Sequence, residues 1–270
     1  MTKLDSERWR VRPRATVDLA HVDPRSTDGM ASKDKAAPLL PDLHASLRGL
    51  QERLFAEHRQ SLLVVLQAID AGGKDGTIKH LFCGLNPAGA QVVSFRAPSE
   101  DELAHDFLWR VHLRTPGKGE VVVFNRSHYE DVLVVRVHEL VPEDVWRPRY
   151  ELINQFEANL AAAGTRVVKV FLHISKDEQA ERFRDRIDDP TKCWKFRAGD
   201  LDDRARWDDY QVAFGEAITR TSTEQAPWYV VPADHKWYRN WAVSRIVIET
   251  LEAMDPRYPP CDDLKGVVVR

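Results

Sequence analysis

The sequence predicts an α/β fold built on a central, mostly parallel five-stranded sheet sandwiched by helices, and three observations carry that reading. Five short apolar runs, 61–66, 91–95, 120–125, 166–173 and 228–232, are rich in β-branched residues and lack polar alternation, the mark of strands buried on both faces. Stretches with helical spacing or helix-start signals separate them. The first run leads directly into a loop carrying three glycines and one lysine.

That loop, Asp70-Ala-Gly-Gly-Lys-Asp-Gly-Thr77, is the organising stretch. Gly72, Gly73 and Gly76 lack a Cβ, so the backbone can curl and turn several N–H groups toward one anion, while the chain continues as a helix from Ile78 to Leu85. Lys74 supplies a mobile positive charge for outer phosphates. The match to the common phosphate-loop pattern is incomplete. Its first glycine falls on Ala68, and the hydroxyl expected after the lysine is Asp75. Two carboxylates flanking a lysine in an anion site call for a divalent cation or a basic side chain to neutralise one of them. Asp70 is therefore assigned to magnesium or to positioning the acceptor, against the alternative of an Asx turn. Asp75 stands open between metal binding and capping the helix.

The bulk properties bound the rest. A chain of 270 residues, 43% hydrophobic and 30% charged, suits one α/β domain with a full core. A net charge of -3 argues against a general nucleic-acid or polyanion binder, so any anionic chain must meet a local basic patch. Cys83, Cys193 and Cys261 are scattered and odd in number, which speaks against a disulfide framework and for a reducing compartment. The N-terminus has no signal-peptide core, and no apolar run approaches the roughly twenty residues of a membrane span, so a soluble cytoplasmic protein without a membrane partner is expected.

Taken in order, residues 1–38 form an N-terminal extension in which Arg8, Arg10, Arg12 and Arg14 alternate; a solvated arm or subunit contact is favoured over a phosphate contact. Leu43, Leu47, Leu50 and Leu54 predict an amphipathic helix. A capping box at Ser99 opens a helix carrying Leu103, Phe107 and Val111. The third run ends in Asn125-Arg-Ser-His-Tyr-Glu-Asp131, at the strand end where ligands bind in open sheets. Arg126 suits a bidentate phosphate contact, or a salt bridge to Glu130 or another carboxylate. A long helix is expected from Pro142 to Ala163, closed by Gly164. Beyond the fourth run, Ser175 caps a helix in which Arg182 and Arg186 share one face, and Lys192, Trp194, Lys195 and Arg197 follow Pro190. This reads as a mobile basic cover over a phosphate site, or as a salt-bridged helical hairpin, since aspartates nearly balance the cations. Lys236, Arg239 and Asn240 again follow a strand end, within reach of a ligand, in a helix expected to run to about Met254.

Asp70-Ala-Gly-Gly-Lys-Asp-Gly-Thr77, Asn125-Arg-Ser-His-Tyr-Glu-Asp131, Asp189-Pro-Thr-Lys-Cys-Trp-Lys195 and Trp237-Tyr-Arg-Asn-Trp241 together resemble the family-2 polyphosphate kinases, over residues 40–255 and in order. The resemblance implies a phosphate-loop kinase fold related to thymidylate kinase, spanning 39–256 with a helical lid at about 182–207 and a tail at 257–270. It also implies magnesium-assisted transfer of phosphoryl groups between inorganic polyphosphate and adenine nucleotides, with guanine nucleotides as further candidates and manganese as a substitute ion. By this likeness Asp70, Lys74 and Arg126 are catalytic and Asp70 holds the metal. Ala71, Gly72, Gly73, Asp75, Gly76, Thr77, Arg182 and Arg186 bind phosphates, and Asn125, Glu130 and Arg136 meet the nucleotide. Asn125 departs from the Asp of subgroups using one nucleotide level and, with Glu130, resembles the subgroup accepting both AMP and ADP. A homo-oligomer is also implied. The rival readings are an ATP-dependent nucleoside monophosphate kinase and a nucleotide-binding switch with little turnover.

Overall fold

A computed structural model describes residues 5–261; the rest of the predicted tail, 262–270, and the first four residues lie outside the described residues. Six strands form one sheet: β1 (Arg10–Val11), β2 (Ser61–Gln67), β3 (Ala90–Ser94), β4 (Val121–Asn125), β5 (Thr165–His173) and β6 (Trp228–Pro232), in the order β1-β6-β5-β2-β4-β3. The five expected runs are β2 to β6, all mutually parallel. β2 lies between β4 and β5 with all seven residues buried, which is why its middle, residues 62–66, is uninterrupted Leu and Val. The chain leaves β2 toward β3 and β4 on one side and returns on the other side as β5 and β6, so the loops after β2 and β4 flank the reversal of strand order.

The sixth strand was not expected. Rather than forming a solvated arm, the N-terminal segment pairs β1 antiparallel with β6, Arg10 opposite Tyr229. The cause is apolar: Trp9 is buried and packs edge-on against Tyr238 and Trp241. Of the alternate arginines, Arg8 pairs with Asp5 and Arg10 with Glu7 and Glu224.

The longer helices among the described residues are α1 (Leu40–Glu57), α2 (Lys74–Phe82), α3 (Arg149–Ala162), α4 (Lys176–Asp188), α5 (Gly199–Ala205), α6 (Trp207–Thr221) and α7 (Lys236–Met254). In α1, Leu43, Leu47, Leu50 and Leu54 form the buried stripe. Two expected helices are interrupted. The one opened by the Ser99 capping box ends at Leu103, and Asp106 accepts a hydrogen bond from the Leu108 amide (3.0 Å) to start a separate turn, Trp109–His112. The stretch from Pro142 divides into Glu143–Trp146 and α3 because Pro148, lacking an N–H, begins the second helix rather than continuing the first. Gly164, at φ +93°, then ends α3 as expected. No described helix is long and apolar enough to cross a membrane.

Candidate active site

The glycine loop has the conformation its composition demands. A Cβ at Gly72 would lie 2.4 Å from that of Ala68 and 2.8 Å from the Ile69 carbonyl oxygen, so only glycine fits. Ala71 (φ 60°) and Gly73 (φ 103°) are both left-handed, a strained pattern for the alanine. Gly73 is the N-cap of α2 without a side-chain cap, so the helix's first-turn amides border the cavity outside it.

That cavity, about 310 Å³, is lined by residues 70–76 together with Arg182, Asp185, Arg186, Lys192, Lys195, Lys236 and Arg239. Cations dominate its wall. Lys74 donates to the Ala68 carbonyl (2.7 Å), folded back on its own loop, and burial lowers its pKa. Arg239 is buried and lies over Gly73 and Gly76, and among the described residues its guanidinium hydrogen-bonds only the Asn240 side chain. Burial, and then the neighbouring Arg182 guanidinium, pull its pKa down to about 10. Arg182 is itself paired with Glu178 (2.7 Å), so the uncompensated charge that invites an anion is that of Arg239.

Asp70 stands where this cavity meets a second, smaller one of about 30 Å³, lined by Arg126, Glu130, Leu133, Val134, Asp203, Tyr210 and Phe214. Arg126 donates to Asp70 (2.9 Å) and lies 3.9 Å from Glu130, the carboxylate pairing that is one of the two alternatives drawn from the sequence. Burial pushes the Asp70 carboxyl up, but Lys74 and Arg126 together outweigh it and hold its pKa below the ordinary value. Burial raises that of Glu130, against the pull of Arg126. Asp75 does not cap α2. Its carboxylate accepts from the Asn125 side chain (3.1 Å) and pairs with Lys195 (3.2 Å), which joins the segment after α4 to the end of β4. The two loop carboxylates are therefore neutralised by the protein's own cations.

The predicted ligands Arg136 and Thr77 line neither cavity, and another, Arg182, is held by the protein itself. The Arg136 guanidinium pairs with Glu216 (2.6 Å) and covers the Trp146 ring, outside both cavities. The buried Thr77 hydroxyl donates to the Gly73 carbonyl (3.1 Å), bracing the loop from within. Arg182 reaches the cavity wall, yet its guanidinium is committed to the Ala71 and Ala233 carbonyls (2.9 and 2.6 Å), tying the glycine loop to the end of β6. Arg186 lines the cavity and lies 3.8 Å from Asp200. Asp203 and Tyr210, which wall the smaller cavity and hydrogen-bond each other (3.0 Å), carried no sequence signal, because helices with mixed charge read as surface.

Residues 30–259 match the model of the family described as Polyphosphate kinase 2. This chain belongs to that family. Among relatives of the polyphosphate kinase 2 chain, the AMP/ADP-polyphosphate phosphotransferase of Meiothermus ruber is 56% identical over 254 residues, covering 94% of this chain and 95% of the relative. The ADP-polyphosphate phosphotransferase of Rhodopseudomonas palustris is 45% identical over 269 residues, with 95% and 93% covered. The crystal structure of polyphosphate kinase 2 from Arthrobacter aurescens TC1 superposes with a TM-score of 0.91 at 45% identity, covering 95% of this chain and 92% of that one. Phosphate-loop kinase architecture and family membership agree with the resemblance carried by the four motifs.

Proposed function

We propose that this enzyme transfers phosphoryl groups from inorganic polyphosphate to AMP and ADP. The observation that carries the reading is Asp70, ionised between Lys74 and Arg126 and lining both a cationic cavity and a separate pocket. The cationic side suits a chain of phosphates; the Arg126 side suits the nucleotide phosphate that attacks in line. Family membership favours polyphosphate over ATP as donor, and the relatives' names favour acceptance of both nucleotide levels.

Lys74 and the loop amides would hold the transferred group, with Arg186, Lys192, Lys195, Lys236 and Arg239 gripping the chain behind it and Arg126 aligning the acceptor. Glu130 borders the acceptor side, and Asn125, beside Arg126, holds Asp75. Positioning and charge neutralisation carry this chemistry, because the transition state asks little covalent work of the protein. The donor set fits a hard cation that arrives on substrate phosphates. Among the described residues no three potential ligands cluster into a cage, and one rim carboxylate, Asp70, is what magnesium commonly takes from a kinase. Magnesium, or manganese in its place, would be held there by Asp70 and would neutralise charge on the phosphates. The segment around Lys192–Lys195 would act as the lid. A cytoplasmic setting, a homo-oligomeric assembly and some use of guanine nucleotides complete the proposal.

The test is an assay with polyphosphate and either AMP or ADP, without ATP. Turnover with both acceptors is expected. Lys74→Ala and Asp70→Ala should each lower kcat by about a hundredfold or more while leaving the melting temperature near wild type. Near-normal turnover in either variant removes the role assigned to it.

A further inference from the structure

The turn that carries Arg126 and Glu130 is anchored from below by a buried ionic cluster that the transfer chemistry does not touch. Arg126 is left-handed (φ 63°), a conformation that persists in a non-glycine residue only when its surroundings impose it. The residues after it descend into the layer between the sheet and helices α3 and α6. His128 and Tyr129 are 1% and 0% exposed, and both end on one carboxylate, Glu157 of α3. His128 Nε2 lies 3.3 Å from Glu157 Oε1, and the Tyr129 hydroxyl donates to the same oxygen at 2.9 Å. The other oxygen pairs with Lys169 of β5, whose ammonium also donates to the Thr221 carbonyl (2.6 Å) at the end of α6. Lys169 is 0% exposed and lies against the Tyr129 and Trp228 rings.

A lysine and a glutamate taken wholly out of water are poor stabilisers compared with apolar residues of similar volume. What this pair adds is direction. It fixes Tyr129 and His128 at one depth, and hence the height and orientation of Arg126 three and two residues before them. We infer that Glu157 and Lys169 are positioning residues for nucleotide use, acting through Tyr129 and His128 on Arg126 and Glu130, which rests on the acceptor side assigned above. The polyphosphate side is built on the loop after β2, on α4 with the segment after it, and on α7, and meets this anchor only through the Arg126–Asp70 pair.

The experiment compares Tyr129→Phe, which removes only the hydroxyl, with Glu157→Gln and with the apolar pair Glu157→Leu/Lys169→Met. Tyr129→Phe should raise the nucleotide KM several-fold and the apolar pair by about tenfold or more, with polyphosphate KM within about twofold of wild type in both. The apolar pair should melt at or above the temperature of Glu157→Gln, since it buries no unpaired charge. Normal nucleotide KM in the folded apolar pair overturns the inference, as does an equal rise in both KM values. ADP affinity measured by calorimetry without polyphosphate reads the same anchor independently. If wild type binds ADP but polyphosphate drives no turnover, the proposed reaction fails, and an unchanged ADP affinity in the variants would then overturn the anchor as well.

Discussion

Arg239 is a buried cation that pairs with no carboxylate among the described residues. Its pKa, pulled down to about 10 by burial and then by Arg182, means that keeping it charged costs the folded protein stability. The sign follows from proton counting. Above about pH 10 the folded chain gives up this proton before the unfolded one does, so the cost is fully present at neutral pH. A bound phosphate chain would offset it. Arg239→Gln should therefore raise the melting temperature of the free protein by several degrees and raise the polyphosphate KM by about tenfold, opposite effects read by calorimetry and by steady-state kinetics. A destabilised variant with normal KM would contradict this. Arg239 follows a strand end, which was visible in the sequence, whereas its lack of a partner was not. Arg136 is the reverse case: a basic residue near the site motif in sequence, taken out of the site by Glu216.

At the scale of elements, α2 must stay seated for the glycine loop to keep its shape, and His80 ties it to α7 by a contact of 3.0 Å to the Ser244 hydroxyl. Burial, with His44 and Arg239 nearby, lowers the His80 pKa from 6.5 to about 4. Below pH 6.5 the unfolded chain takes up a proton that the folded chain refuses until about pH 4, so stability falls as pH falls through that window, by about 3 kcal/mol in all. Chemical denaturation at pH 7 and pH 4.5 should show this loss, and His80→Gln should show less of it. The strands and α1 were legible because burial on both faces, or along one stripe, leaves a periodic record in the residues. The breaks at Asp106 and Pro148 were misread because each element was traced by its apolar face, and a local hydrogen bond or a missing N–H overrides that pattern without erasing it. Asp75 shows the same limit: its spacing from the helix start allowed a cap, and Lys195, 120 positions away, claimed the carboxylate instead.

For the molecule as a whole, the N-terminal segment is part of the sheet and its packing. Trp9 lies 6% exposed against α7, and its indole nitrogen donates to the Tyr238 hydroxyl (3.2 Å). Trp9→Ala should cost about 3–5 kcal/mol and lower the melting temperature by roughly 10 °C, since a cavity would open between β1 and α7. A shift of only a degree or two would return the segment to the status of an arm. The sequence by itself determined the five parallel strands, the glycine loop, the family, and the choice of Asp70, Lys74 and Arg126 as candidates that the fold brings together. Each of these depends on composition within a short stretch or on a motif of adjacent residues. Only the tertiary structure decided which cations remain free for a phosphate chain, that Arg182 serves the loop's carbonyls, and that β1 closes the sheet edge. Those outcomes turn on pairings between residues far apart in the chain, where a charge finds either a partner or an open cavity, and no local pattern encodes that choice.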